Sequence, residues 1–384
     1  MNRPSQAALR GNRIFWLDNL RTFMIFCVVL LHAGIVYDSS MAGALFWIVD
    51  DPSTNSVSRN INLILDIFVM ATIFFISGYF SPLSLENKSA WFFVKSKFKR
   101  LLVPWIIAVV TLIPLFKFIF LYSRNLPQEN WTTYFHFSNG IFSTSWLWFL
   151  PVLFLFDVFY LIISKVPLNM FTLTLKKVIY FAFFLGFLNL VCIDIFNAAG
   201  WTKTIWINFQ NERLLIYFLI FLLGSLCFKL KVFSSDKKNK KPNMIVFCTV
   251  WIPVFFYVRF FMFASANPGR FVVTEFIDAL LLGFSFLLSL ACILYLLINT
   301  FRFYLNRQGR ILTAVNRNSY GVYIIHVIVL GGISLGMLNM AIPSIVKYFV
   351  LTGTTFVACN LIVSFYRKSK DSIKLKQRGG IDNG

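Results

Sequence analysis

The chain has 384 residues, 58% of them hydrophobic and 13% charged, with 47 phenylalanines and a mean hydropathy of +0.73. Soluble globular domains carry about a quarter charged residues, so that class is excluded. A net charge of +21 would suit nucleic acid if the cations shared one soluble face, but they alternate with apolar stretches, and no nucleic-acid partner is expected.

Those stretches recur at lengths of about 20 residues, each enough to cross ~30 Å of hydrocarbon as a helix. Ten spans are predicted, near residues 14–37, 60–82, 101–123, 145–164, 178–196, 214–228, 243–263, 274–299, 311–336 and 348–366. The fold class is therefore all-α: a polytopic membrane protein with one transmembrane domain over 1–366. A basic tail over 367–384 is expected to be disordered and drawn to anionic lipid. Lys and Arg on the N-terminus, the tail and every second connection outnumber those on the other connections by more than four to one. That asymmetry predicts both termini cytoplasmic.

The first span contains "DNLRTFMIFCVVLLHAGIVY", residues 18 to 37, apolar apart from Asp18, Arg21 and His32. Arg21 and His32 are eleven residues apart, which at 100° per residue is about 20° past three full turns, so they share one face some ~16 Å apart. Asp18 is close enough to pair with Arg21. Ionisable groups at such depth usually face a bundle interior or a wet cavity, and the stripe marks a path. The alternative is that Arg21 snorkels to the interface beside Asp18 while His32 is a hydrogen-bonded interior residue. Arg3, Arg10 and Arg13 before the span and Ala42-Gly43-Ala44 after it outline a signal peptide, but the apolar region exceeds the usual 7–15 residues, so an uncleaved helix is expected.

The second span ends in "IFFISGYFSP", with Ser77 inside it. Before the third stands "KSKFKRLLVPWI", where Lys97 and Arg100, three apart, can face the same way as an anion clamp for phosphates or can serve only as inside anchors. The fourth opens with "SWLWFLPVLFLFDVFY". In the ninth, "NRNSYGVYIIHVIVL" puts Ser319, Tyr323 and His326 on one face at offsets of four and three, a polar stripe for a site or for helix packing. Gly332 to Gly336 match G-x-S-x-G, but a hydrolase elbow needs a strand before its turn, and this match lies in a membrane helix. The six cysteines fall in apolar spans at no metal-like spacing, so no metal and no permanently bound cofactor are expected.

Five stretches, in order, resemble the membrane-bound acyltransferase 3 family: "FWLDNLRTFMIFCVVLLHAGIVYDSS", "IFFISGYFSP", "KFKRLLVPW", "SWLWFLPVLFLFDVFY" and "SYGVYIIH". The first two are most similar to the branch containing the glucan biosynthesis protein C, which succinylates periplasmic glucans. The chain departs from its relatives at Trp146 after Ser145, where many have His, and at Lys97, where an R-x-x-R pair has Arg. The resemblance implies an O-acyltransferase of the inner cell membrane. It would move an acetyl or succinyl group from cytoplasmic acyl-CoA to a hydroxyl of an extracytoplasmic carbohydrate. It implies His32 and Arg21 as catalytic residues, His32 as general base and Arg21 stabilising either the CoA phosphates or the pathway. It further implies Lys97 and Arg100 as acyl-CoA ligands, Ser77, Tyr323, His326 and Asp18 as lining or oxyanion candidates, and a channel joining His32 to the basic cluster. The oligomeric state stays open. The alternative function is a proton-coupled transporter or polysaccharide exporter using Asp66, Asp157, Asp194 and Asp278, although the two matching halves common in such carriers are not seen.

Overall fold

The computed structural model describes residues 14–41, 46–86, 88–135, 144–165, 174–204, 206–234, 238 and 240–379. Arg3, Arg10, Arg13 and the Ala42-Gly43-Ala44 triplet lie outside the described residues. Ten helices are long and apolar enough to cross a membrane, one at each predicted span. They are α1 (Phe15–Val36), α2 (Ser56–Leu85), α3 (Ala90–Ser123), α4 (Ser145–Ile163), α5 (Leu175–Ile195), α6 (Asn211–Lys229), α7 (Lys240–Ala266), α8 (Glu275–Phe303), α9 (Arg310–Met337) and α10 (Ser344–Gly379).

Local chemistry sets several boundaries. Side chains of Asn55, Ser89, Thr174 and Thr274 accept the first free amide hydrogens of α2, α3, α5 and α8, meeting donors that lipid would leave unsatisfied. α7 breaks between Thr249 and Trp251, where Pro253 cannot donate to the Thr249 carbonyl. α3 starts eleven residues before the expected 101, so the basic stretch is helical and lies on α3 itself. A π-turn at Phe98–Leu102 widens the helix there, between Lys97 and the rest of α3. α10 likewise continues past 366 to Gly379, against the disorder expected of the tail. No Gly or Pro interrupts the sequence from Thr354 to Arg378, so nothing stops the helix where the apolar residues end.

The tightest helix crossing is α2 on α6. A Cβ at Gly78 would lie 1.9 Å from the Phe221 carbonyl oxygen, and one at Gly224 would lie 2.2 Å from that of Phe75. Without a hydrophobic drive between helices in lipid, such close backbone approach supplies the dispersion that holds them. α1 runs through the middle of the bundle, packed on α2, α8, α9 and α10. A buried amide network fixes α1 to α9: Asn316 donates to Asn19 Oδ1 at 2.7 Å and accepts from Thr22 Oγ1 at 2.6 Å, while Asn19 donates to the Leu305 carbonyl at 2.7 Å. This is the end of the bundle where α1 and α9 begin and α10 carries Arg367. It is called the basic end below.

At the opposite end, residues 46–55 fold back over the helices. Lys347 of α10 reaches Asp51 at 2.9 Å, both side chains nearly fully buried. A two-stranded antiparallel hairpin, β1 (Trp201–Lys203) and β2 (Asn208–Gln210), meets the start of α4 through Asn208 Nδ2 and Thr144 Oγ1 at 3.2 Å. Exposed Phe, Ile and Leu side chains cover the outward faces of α3, α5 and α7, the surface a bilayer would solvate.

Candidate active site

A cavity of about 1060 Å³ opens at the basic end between α1, α2, α3, α4 and α9, with the end of α6 and Arg367 of α10 closing its rim. Its composition changes with depth. Arg100, Lys229, Lys231, Arg317 and Arg367 stand around the mouth, a concentration of cations that draws anions and lines up donors for phosphate oxygens. Halfway in are two neutralising pairs. Arg21 donates through Nη2 to Asp18 Oδ1 at 2.8 Å and through Nε to Ser319 Oγ at 3.3 Å. Lys97 Nζ donates to Asp157 Oδ1 at 2.8 Å, and the same oxygen accepts from Ser81 Oγ at 2.7 Å. Deeper still the lining turns apolar, with Ile25, Ile73, Ile76, Phe149, Leu150 and the ring of Tyr323.

Beyond that apolar end sit two histidines. His32 Nδ1 and His326 Nε2 are 2.7 Å apart. The ring centroids are 4.9 Å apart and the planes differ by 15°. That separation equals the hydrogen bond plus two ring radii, so the imidazoles lie edge to edge in nearly one plane. His326 Nδ1 lies 2.7 Å from the Tyr323 carbonyl, an oxygen that can only accept, so Nδ1 carries the hydrogen. In the neutral ring His326 Nε2 must then accept, His32 Nδ1 must donate, and the lone pair of His32 falls on Nε2. The arrangement thus leaves one imidazole nitrogen without a proton and fixed in direction, which is what a general base requires. Trp47, from the segment folded over the opposite end, packs against the His32 ring with centroids 4.9 Å apart.

Cavity and imidazoles do not meet. Between them the Tyr323 hydroxyl donates to the Trp146 carbonyl at 2.5 Å and Trp146 Nε1 donates to the Ile324 carbonyl at 2.9 Å. Phe116 stacks on Trp146 and Phe149 sits edge-on to Tyr323. The cavity lining stops at Tyr323, one helical turn short of His326. The joined channel expected from sequence is therefore corrected: the route is shut by a wall of aromatic side chains.

One family model matches the chain, an acyltransferase domain of the acyltransferase 3 family, over residues 14–364. The chain belongs to that family. No curated protein and no solved structure matches it. As a multi-pass acyltransferase it is an enzyme, and the transporter reading of its intramembrane acids gives way. Of those acids, Asp157 neutralises Lys97 and Asp66 pairs with Arg213 at 3.0 Å.

The acyltransferase brings most of the expected residues to one cavity. Asp18, Arg21, Ser77, Lys97, Arg100 and Tyr323 line it, and His32 and His326 form the pair beyond. Two details are added by the geometry. Lys97 faces the cavity beside Arg100 with its charge balanced by Asp157, and Arg317, Arg367 and Lys231 add further cations to the same lining. Ser77 Oγ donates to the Ile73 carbonyl at 2.9 Å and the Tyr323 hydroxyl to Trp146, so neither proton is available to an oxyanion in this arrangement. Sequence reasoning missed Arg317, Arg367 and Trp47 as parts of the site. The signal for Asp157 was its isolation in an apolar span, and its partner lies sixty positions away on another helix.

Proposed function

We propose that the chain transfers an acyl group from acyl-CoA, bound at a cytoplasmic basic end, to a hydroxyl of a carbohydrate that arrives from the opposite face of the inner membrane. The observation that carries this reading is the imidazole pair, which leaves His32 Nε2 as an oriented acceptor across an aromatic wall from a cation-rimmed cavity. The CoA phosphates rest on Arg100, Arg317, Arg367 and Lys231, and the pantetheine arm runs past Arg21 toward the apolar end. For transfer, Tyr323 and Trp146 part and the thioester carbonyl meets the acceptor hydroxyl beside His32. Nε2 takes the hydroxyl proton as the oxygen bonds to the carbonyl carbon. The carbon–sulfur bond then breaks, and the proton passes to the departing thiolate. His326 keeps the His32 tautomer fixed throughout. The resemblance to the glucan-modifying branch supports a carbohydrate acceptor, and the excess of cations at the basic end supports a cytoplasmic donor side.

The test is transfer of label from acyl-CoA to envelope glycans, read by mass spectrometry with and without the chain. His32→Ala is expected to abolish the added mass while the protein remains folded and at normal abundance. Unchanged transfer by that variant overturns the role given to His32, and no added mass from the wild-type chain overturns the function.

A further inference from the structure

The proposed transfer puts negative charge on the thioester carbonyl oxygen, yet Ser77 and Tyr323 give their hydroxyl protons to the carbonyls of Ile73 and Trp146 at 2.9 and 2.5 Å. The Tyr323 hydroxyl also leaves its place when the wall parts. An oxyanion donor works by standing in position before the reaction begins. Among the described residues two buried indoles, those of Trp47 and Trp105, each carry an Nε1–H that meets no acceptor. Indole nitrogen can only donate, and burying it unpaired is costly, so each position needs a reason. Trp105 stands on α3 outside the cavity lining. Trp47 lies on the base itself, its ring centroid 4.9 Å from that of His32 and the planes 32° apart. It also meets Phe116 edge-on at 6.3 Å, and Phe116 stacks on Trp146, so one indole borders both the imidazole and the wall.

We infer, resting on His32 as the base proposed above, that the Trp47 Nε1–H is the hydrogen-bond donor that receives the thioester oxyanion. His32 keeps accessible surface whereas His326 has none, so the room for an incoming group lies at His32. The oxyanion and the attacking oxygen hang on the same carbon, and a donor in contact with the base can reach one while His32 Nε2 reaches the other. As the acceptor oxygen bonds to the carbonyl carbon, its proton passes to Nε2 and the carbonyl π electrons move onto oxygen, where the indole hydrogen meets them. When the carbon–sulfur bond breaks, the carbonyl re-forms, the thiolate takes the proton from Nε2 and the Nε1–H is again without a partner. A bond made only while the charge exists raises kcat rather than lowering KM. The indole is fixed in advance by its own segment. Neighbouring Ile48 is fully buried and fits Gly331 so closely that a Cβ there would lie 2.5 Å from Ile48 Cδ1, and Asp51 is held by Lys347 at 2.9 Å.

Label transfer from acyl-CoA to envelope glycans is measured in membranes at several concentrations of donor and acceptor. The full-length chains compared are wild type, His32→Ala, Trp47→Phe, Trp105→Phe and one with Trp47 replaced by β-(3-benzothienyl)alanine. Benzothiophene has the shape of indole with sulfur in place of N–H, so the packing on His32 and Phe116 stays. Both changes at position 47 are expected to lower kcat ~100-fold or more with the KM values little changed. The benzothienyl chain is expected to keep the wild-type thermal midpoint in detergent, because the N–H it lacks has no partner in the resting protein. Trp105→Phe removes an equally unpaired N–H and is expected to keep its kcat. Should Trp47→Phe fail to fold, the benzothienyl chain decides the matter. Wild-type kcat in that chain, or a raised acceptor KM with kcat kept, overturns the inference and leaves the proposed function standing wherever His32→Ala is inactive. Absence of transfer by the wild-type chain overturns the proposed function and this inference with it.

Discussion

Replacing His326 by leucine removes the acceptor that holds His32 Nδ1–H at 2.7 Å and puts an apolar side chain in its place. The donor then stays buried without a partner, at a penalty of about 1–3 kcal/mol. The ring escapes that penalty by moving its hydrogen to Nε2 or by turning, and either change takes the lone pair away from the acceptor hydroxyl. At 1.4 kcal/mol per tenfold, the productive tautomer falls roughly 5- to 150-fold, and kcat is expected to fall in proportion with little change in donor KM. The ceiling is the whole contribution of a general base, about 10²–10⁴-fold, which His32→Ala should reach. His326→Gln keeps a carbonyl that can accept the same hydrogen and should recover most of the rate. The double variant His32→Ala with His326→Leu should be no slower than His32→Ala alone, because the second histidine acts only through the first. The assay is initial-rate label transfer in membranes with matched protein abundance. An undiminished kcat in His326→Leu, or a His326→Gln variant as slow as the leucine one, refutes the tautomer argument.

Four further outcomes follow from the geometry. Gly78→Ala puts a methyl group where the Phe221 carbonyl oxygen is 1.9 Å away and should lower the thermal midpoint in detergent sharply, at a cost of about 1–3 kcal/mol or more, whereas Gly353→Ala, with nothing within 4 Å, should not. Lys97→Met alone strands Asp157 and should cost about 3–5 kcal/mol, while adding Asp157→Leu should restore most of the lost stability in the same melt; Arg100→Ala should instead raise the donor KM without moving that melt. Glu129, outside the spans, is held below the usual glutamate range by hydrogen bonds from Lys117 at 2.6 Å and Thr133 at 2.7 Å. Its contribution is therefore present above the unfolded-state pKa and lost as pH falls through the lower folded value, so the melting difference between wild type and Glu129→Gln should hold from neutral pH down to mildly acidic pH and vanish only in strong acid.

What the sequence makes legible here is whatever repeats along one helix. Arg21 and His32 share a face of α1 because eleven residues close three turns, and Ser319, Tyr323 and His326 form a stripe on α9 for the same reason. That these two faces meet, so that His32 contacts a residue 294 positions away, follows from helix packing that no single helix specifies. That Lys97 is paired with Asp157 is not legible in the sequence, since charge compensation across sixty positions leaves no local trace. The helical basic stretch of α3 escapes a hydropathy window because cations lower the average without disturbing the backbone. Trp47 lies in a connecting segment with no periodicity, and its place over His32 depends on pins such as Asp51 to Lys347. The shut route is legible only in three dimensions, since Tyr323 and Trp146 are ordinary aromatic residues until their hydrogen bonds are traced.

Chemistry that draws one reactant from each side of a bilayer faces a hazard unknown to enzymes in solution: any passage wide enough for the reactants also lets protons and ions leak down their gradients. For the proposed two-sided transfer, Tyr323 and Trp146 answer it with side chains anchored to backbone carbonyls of each other's helices, so the seal rests on two interlocking bonds. An enzyme that works this way is expected to stay electrically tight between turnovers, and variants that loosen the seal should burden the cell through lost membrane potential even where acylation itself is preserved.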